Sequence, residues 1–327
     1  MKLQEQAQRQ AQHVMVYGDA KTGKSTLVSK LAEAGFNLIW LSVDGGHVVL
    51  YKLSQEAQER INLIVTPDTR DSPFAFDTCR RLLKGKAIQV CHLHGVCECS
   101  VCKKDGRALS PYELRANPLN TIFVIDHMTR VADSDMNVIS RGKPVDYKLQ
   151  LDDYGAWQFH LREVLTDIQV APFHIVCIAQ AVEVVMEDKS KKINPAIGSS
   201  EFTKLTCQYF DHVVYCKIQN RSHKFGSGTT FETSVVTGSR LDIKLEDMGA
   251  EASLVPFFDG SALPKQEQLL LNGSKQAAEV LAAPIEQVIT AASELQATSA
   301  ATAVTPAAVQ QKLSTQEMLA RLKQGRK

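Results

Sequence analysis

Apolar residues in this chain come in short runs divided by helical or polar stretches. The run His13-Val-Met-Val-Tyr17 predicts a strand, and Thr26 to Ala34 has the spacing of a helix that stops at Gly35. Asn37-Leu-Ile-Trp-Leu-Ser-Val43 closes on Asp44-Gly-Gly46 and reads as a buried strand and its turn. Ile61 to Thr66 predicts a third strand, ended by Pro67-Asp68, and Phe74 to Leu83 returns to helical spacing. The pattern then breaks, and residues 88–118 read as an insertion. Thr121-Ile-Phe-Val-Ile-Asp126 is near-continuously apolar, as a parallel strand buried on both faces must be. Arg130 to Asp153 reads as a polar loop. Trp157 to Val170 predicts a helix with Leu161, Val164, Leu165 and Ile168 on one face. His174 to Gln180 is another buried strand, followed by a basic loop at Lys189-Ser-Lys-Lys192. His212 to Ile218 and Thr233 to Thr237 complete the strands, joined by a turn around Gly226-Ser-Gly228.

Strands alternating with helices imply crossover connections, so the fold class is α/β with a mostly parallel central sheet. Three segments follow from the pattern. Residues 1–12 form a polar arm, 13–262 one domain with its insertion at 88–118, and 263–327 a flexible Ala/Gln-rich tail. The tail ends in a short helix, where Ser314 and Glu317 fit a capping box ahead of Met318, Leu319 and Leu322. A basic amphipathic helix there suggests a docking peptide for a protein partner, or a helix folded back on its own domain or frayed.

Composition narrows the classes. The 327 residues carry a formal net charge of +1, so any nucleic-acid contact must come from local patches. No run reaches the length of a membrane span, and the polar start lacks a signal-peptide core; the expectation is a cytoplasmic protein with no membrane partner. Eight cysteines in that setting point to thiols or metal ligands rather than disulfides.

The chemistry begins between the first strand and the first helix. Gly18-Asp-Ala-Lys-Thr-Gly-Lys-Ser25 has the G-x-x-x-x-G-K-S spacing of a phosphate-binding loop, the Walker A motif, in its required strand-to-helix context. Gly18, Asp19, Ala20, Lys21, Thr22, Gly23, Lys24, Ser25 and Thr26 would cradle the nucleotide phosphates. Lys24 would reach the β- and γ-phosphates, and Ser25 would hold Mg²⁺. Asp126 ends an apolar strand, where the second Mg²⁺ carboxylate belongs. A second constellation, Cys91-His-Leu-His-Gly-Val-Cys-Glu-Cys-Ser-Val-Cys102, offers Cys91, His94, Cys97, Cys99 and Cys102 for the four bonds of a structural Zn²⁺, with His92 a weaker sixth candidate. Iron–sulfur chemistry also accepts thiolates, but histidine and tight pairing favour zinc.

The order of these elements resembles the RecA-like P-loop ATPases. The phosphate loop comes first, then strands ending at Asp44, at Thr66, at Asp126 and at Gln180, and a late strand carrying Lys217. Over residues 13–245 the chain is most similar to short phage-encoded RecA-like ATPases, including Sak-type single-strand annealing proteins, and Tyr154-Gly-Ala-Trp157 fits that group. The resemblance implies an ATP-binding, Mg²⁺-dependent ATPase acting on single-stranded DNA in phage recombination or replication, by annealing or strand exchange, as a homo-oligomeric ring or filament. It places Asp44 near the carboxylate that activates water, Gln180 at the γ-phosphate sensor, and Arg240 where a basic residue can reach a neighbouring subunit's phosphate. Its DNA-binding loops correspond to the segment holding Arg130, Arg141, Lys143 and Lys148 and to the one holding Lys189, Lys191 and Lys192. A helicase or packaging motor on the same core and a non-catalytic nucleotide-switched adaptor stand as alternatives.

Overall fold

The computed structural model describes residues 11–259 apart from 115–119, 145, 187 and 230. The expectations for residues 1–10 and for the tail, including the capping box of Ser314 and Glu317, lie outside the described residues.

The apolar runs form the sheet. Strand β1 (His13–Gly18) is buried at all six positions. Its side chains alternate: Val14 and Val16 join one core layer, and Met15 and Tyr17 the other. The same alternation runs through β2 (Asn37–Ser42), where Leu38 and Trp40 oppose Ile39 and Leu41. Strand β3 (Ile61–Val65) follows, then the short pair β4 (Ile88–Val90) and β5 (Ser110–Tyr112) inside the insertion. Next come β6 (Thr121–Asp126), β7 (His174–Val185), β8 (Lys191–Pro195), β9 (His212–Gln219), β10 (Ser222–Gly226) and β11 (Gly238–Ser239).

Among the described residues the main sheet runs β10-β9-β1-β7-β6-β2-β3, with β8 on β7 and β11 on β9. From β9 to β3 every neighbour is parallel. Helix α1 (Lys24–Glu33) covers one face with Leu27, Val28 and Leu31, helped by Leu245, Leu254 and Phe257. After the short α2 (Gln55–Glu59), helices α3 (Ala75–Leu83), α5 (Met128–Ser140) and α6 (Leu151–Gln169) cover the other. Short α4 (Ser100–Lys104) lies within the insertion and α7 (Ser200–Thr203) follows β8. The sheet is thus sandwiched between helices, as a parallel sheet requires. Leu161, Val164, Leu165 and Ile168 of α6 are fully buried, as their spacing predicts. The helix starts earlier than Trp157 because Gln150 and Asp153 close a reciprocal cap.

Three local expectations differ. The predicted polar loop from Arg130 is largely helix α5. Its inner face carries Ser134 and Asp135, which hides the apolar period. Each is satisfied over a long range: Ser134 donates to Asp68 at 2.7 Å, and Asp135 meets His160 at 3.0 Å. The basic loop after Gln180 is a hairpin, because β7 runs on to Val185 and β8 returns antiparallel. The strand expected at Thr233–Thr237 reduces to a single bridge between Val235 and Ile193. The late partners of β9 are β10 and β11, both antiparallel.

Candidate nucleotide site and cysteine cluster

Parallel strands bring their C-terminal ends to one edge, where ligands of open α/β sheets bind. Here Gly18 lies beside Gln180 and Cys216, and Ser42 beside Asp126. A cleft of about 860 Å³ opens at that edge, lined by Ala20 to Thr26, Asp44, Asp126, His127 and Gln180 among others. Its size suits a nucleotide.

Lys24 is buried at the start of α1, and its ammonium donates to the carbonyls of Gly18 at 2.9 Å and Asp19 at 2.6 Å. The carbonyls of Gly18 and Asp19 thus hold the Lys24 ammonium in place. Burial lowers the Lys24 pKa, while Cys216, Asp126, Asp19 and Asp44 hold it up. The Ser25 hydroxyl donates to Asp126 Oδ2 at 3.4 Å, bringing the two expected Mg²⁺ ligands together. Asp126 is 2% exposed. Burial and then the charge of Asp44 push its carboxyl up to about 7, against the hydrogen bond from Ser25 and the charge of Lys24. A buried carboxylate under that strain is suited to a cation.

Asp44 accepts the Gly46 N–H at 2.9 Å, in a turn that aims it back over the sheet edge. Gly46 sits between the two acids: a Cβ there would lie 3.0 Å from Asp44 Oδ1 and 3.3 Å from Asp126 Oδ2. Gln180 is fixed through its backbone, donating its N–H to Thr129 Oγ1 at 3.1 Å and accepting from Ala196 at 2.7 Å.

Two features of the cleft escaped sequence reading. His127 follows Asp126, is 6% exposed, and has no hydrogen-bond partner for Nδ1 among the described residues. Burial lowers its imidazole to about 4, with Asp44 pulling upward and Lys24 downward, so the ring is neutral at pH 7. Its position directly after the strand-end acid was the available signal. The β9–β10 hairpin also folds over the phosphate loop, where His223 Nδ1 meets the Thr22 carbonyl at 3.0 Å and its ring stacks on Phe225. No local motif marks that contact, because 201 residues separate its ends.

Other predicted residues lie elsewhere. Arg240 pairs with Asp211 at 2.7 Å, just before the start of β9. Its own cleft lies at the far end of that strand, five residues on at Cys216, or about 16 Å along it. Lys189 sits at the β7–β8 hairpin tip with φ 65°. Lys191 pairs with Glu183 at 2.6 Å, and Lys192 donates to the Thr233 carbonyl at 2.7 Å. In the other basic segment, Arg130 pairs with Asp133 at 3.6 Å and Lys143 with Asp153 at 2.6 Å. Lys217 pairs with Glu232 at 2.7 Å.

In the insertion, Cys91, His94, Cys99 and Cys102 converge, with their ligand atoms all within 4.8 Å of one another. Cys97 stands apart and packs its sulfur 3.5 Å from Thr78 Oγ1 in the main core. His92 turns to Ser110 at 2.7 Å.

A family model described as AAA domain (AAA_24) matches residues 10–241. No curated protein matches the chain. Among solved structures, a KaiC-like protein from the hyperthermophilic archaeon Pyrococcus horikoshii OT3 is similar at 12% identity over 66% of this chain and 76% of its own, with a TM-score of 0.32. A likeness that low assigns no activity. The family match spans the phosphate loop on β1 and its acidic partner on β6, and the chain belongs to the AAA domain family, with the phosphate loop set on a mostly parallel sheet.

Proposed function

We propose that the protein is an Mg²⁺-dependent ATPase whose nucleotide state acts on single-stranded DNA, in phage recombination or replication by annealing or strand exchange. The observation that carries the ATPase reading is the meeting of Lys24, the Ser25–Asp126 pair and Asp44 in one cleft. Lys24 exchanges its loop carbonyls for β- and γ-phosphate oxygens. The N-terminus of α1 adds its backbone donors. Ser25 and Asp126 would hold Mg²⁺, which would supply charge neutralisation at the phosphates. Asp44 orients the attacking water and accepts its proton, and the neutral ring of His127, which lines the same cleft, sets the polarity around it.

The coupling to DNA runs through β7. That strand carries Gln180 at the cleft and continues without a break into the hairpin that bears Lys189, Lys191 and Lys192. A shift of Gln180 on hydrolysis is transmitted along a rigid ladder to the tip. Arg240 faces away from its own cleft, so a role at a phosphate requires the cleft of a neighbouring copy, in a ring or filament. The engagement of Lys191 and Lys192 within the chain favours a second reading, a nucleotide-switched adaptor that binds no nucleic acid.

ATP turnover with and without single-stranded DNA separates the two. The first reading expects Mg²⁺-dependent turnover that rises severalfold with DNA. Tight ATP binding without turnover, unaltered by DNA, supports the adaptor.

A further inference from the structure

The nucleotide reaction makes no use of the cysteine cluster, which lies four strands away from the phosphate loop. Four strand spacings put about 19 Å between β1 and β3. The geometry of the cluster is not that of a hydrogen-bond network. His94 Nδ1 lies 3.6 Å from Cys91 Sγ, 3.6 Å from Cys99 Sγ and 3.5 Å from Cys102 Sγ. One ring nitrogen carries at most one proton, and cannot serve three sulfurs equally. A tetrahedral zinc does so: bonds of about 2.3 Å to sulfur and about 2.05 Å to nitrogen separate N from S by about 3.6 Å.

We infer that Cys91, His94, Cys99 and Cys102 bind one Zn²⁺ through three Sγ atoms and Nδ1, and that this ion clamps the 91–102 loop onto the edge of strand β3. All four bonds come from protein, so the site is closed and structural rather than catalytic. The donors meet at a single point, which fits one ion and not a cluster. Cys97 is excluded by its place in the main core against Thr78, and His92 by its contact with Ser110.

The clamp follows from the backbone. Val65 of β3 donates to the Gly95 carbonyl at 2.8 Å, and Cys97 donates back to the Val65 carbonyl at 2.9 Å. The loop therefore continues the sheet past β3, its terminal strand, and covers hydrogen-bonding groups that an edge would expose. Gly95 permits the approach: its φ is 64°, and a Cβ would lie 2.8 Å from the Leu63 carbonyl oxygen. Apart from the three cysteines, only Val96 and Leu109 among the described residues pack in this cluster. So small an apolar core leaves metal binding to supply much of the local folding free energy.

The test is elemental analysis of the full-length protein, purified without chelator. The expected result is about one zinc per chain, retained by Cys97→Ser and reduced at least about fivefold in Cys99→Ser. Should Cys99→Ser fail to fold, the wild-type protein is stripped with a chelator and followed by hydrogen exchange. Exchange should then rise at least about tenfold at Val65 and across residues 91–102, with ATP affinity held within about twofold. Iron in place of zinc, no bound metal, or zinc lost equally from Cys97→Ser would overturn the site. Unchanged protection of Val65 after zinc removal would overturn the clamp. Zinc content is read without nucleotide, so failure here is distinct from failure of the ATPase reading.

Discussion

The Ser25 hydroxyl donates to Asp126 Oδ2 at 3.4 Å, joining the first turn of α1 to the end of β6 across the strand that separates β1 from β6. The contact brings two sequence motifs 101 residues apart together at one cleft. Three predictions follow from the cleft around it and a fourth from the β7–β8 hairpin.

Lys24→Ala removes the ammonium but no part of the core, since among the described residues Lys24 bonds to carbonyls of its own loop. Turnover should fall by about 10²-fold or more, as when a preorganised transition-state charge partner is deleted. Circular dichroism and the unfolding midpoint should stay near wild type. Undiminished turnover in a folded variant would remove Lys24 from the chemistry.

Asp126 makes stability depend on pH in the absence of Mg²⁺. Its carboxyl is raised from 3.8 to about 7, chiefly by burial and then by Asp44. The folded protein keeps a proton that the unfolded chain releases. The group's stabilising contribution is therefore full below about pH 4 and is lost as pH rises through about 7. Asp126→Asn imitates the protonated form, so its stability relative to wild type should grow across that window, by up to about 4 kcal/mol. Urea unfolding at about pH 5 and about pH 8 without Mg²⁺ measures it. A difference that is constant with pH would show that Asp126 ionises freely.

His127 should affect the chemical step more than binding. His127→Ala removes the buried ring whose Nδ1 has no hydrogen-bond partner among the described residues. We expect kcat to fall by about tenfold or more, with nucleotide affinity within about twofold and partial recovery in His127→Asn. Equal losses in kcat and affinity would indicate a packing role only.

Replacing Lys189, Lys191 and Lys192 together with Ala tests the hairpin. If all three meet phosphates, single-strand affinity should drop and the salt slope should flatten by about 2. The ion pair of Lys191 with Glu183 and the Lys192 bond to Thr233 must break first, so a smaller change, near that of Lys189→Ala alone, is the expected lower bound. An unchanged affinity and slope would take the hairpin out of any DNA site.

Local pattern alone determined the skeleton of this protein. The runs at β1, β2, β6 and β7 are apolar on both faces, which only a covered parallel strand tolerates, and the phosphate loop needs just eight consecutive residues to be recognised. Asp126 was legible for the same reason, standing at the end of an apolar run. Tertiary structure decided what local pattern cannot carry. Helix α5 hid because Ser134 and Asp135 are polar yet buried, and their partners Asp68 and His160 are distant in sequence. Five candidate zinc ligands became four because β3 pairs with Cys97 and the core takes its thiol. Arg240 moved away from its own cleft because Asp211 holds it at the other end of β9. In each case a long-range partner settles the residue's position, and long-range partners leave no trace in hydrophobic period or motif spacing.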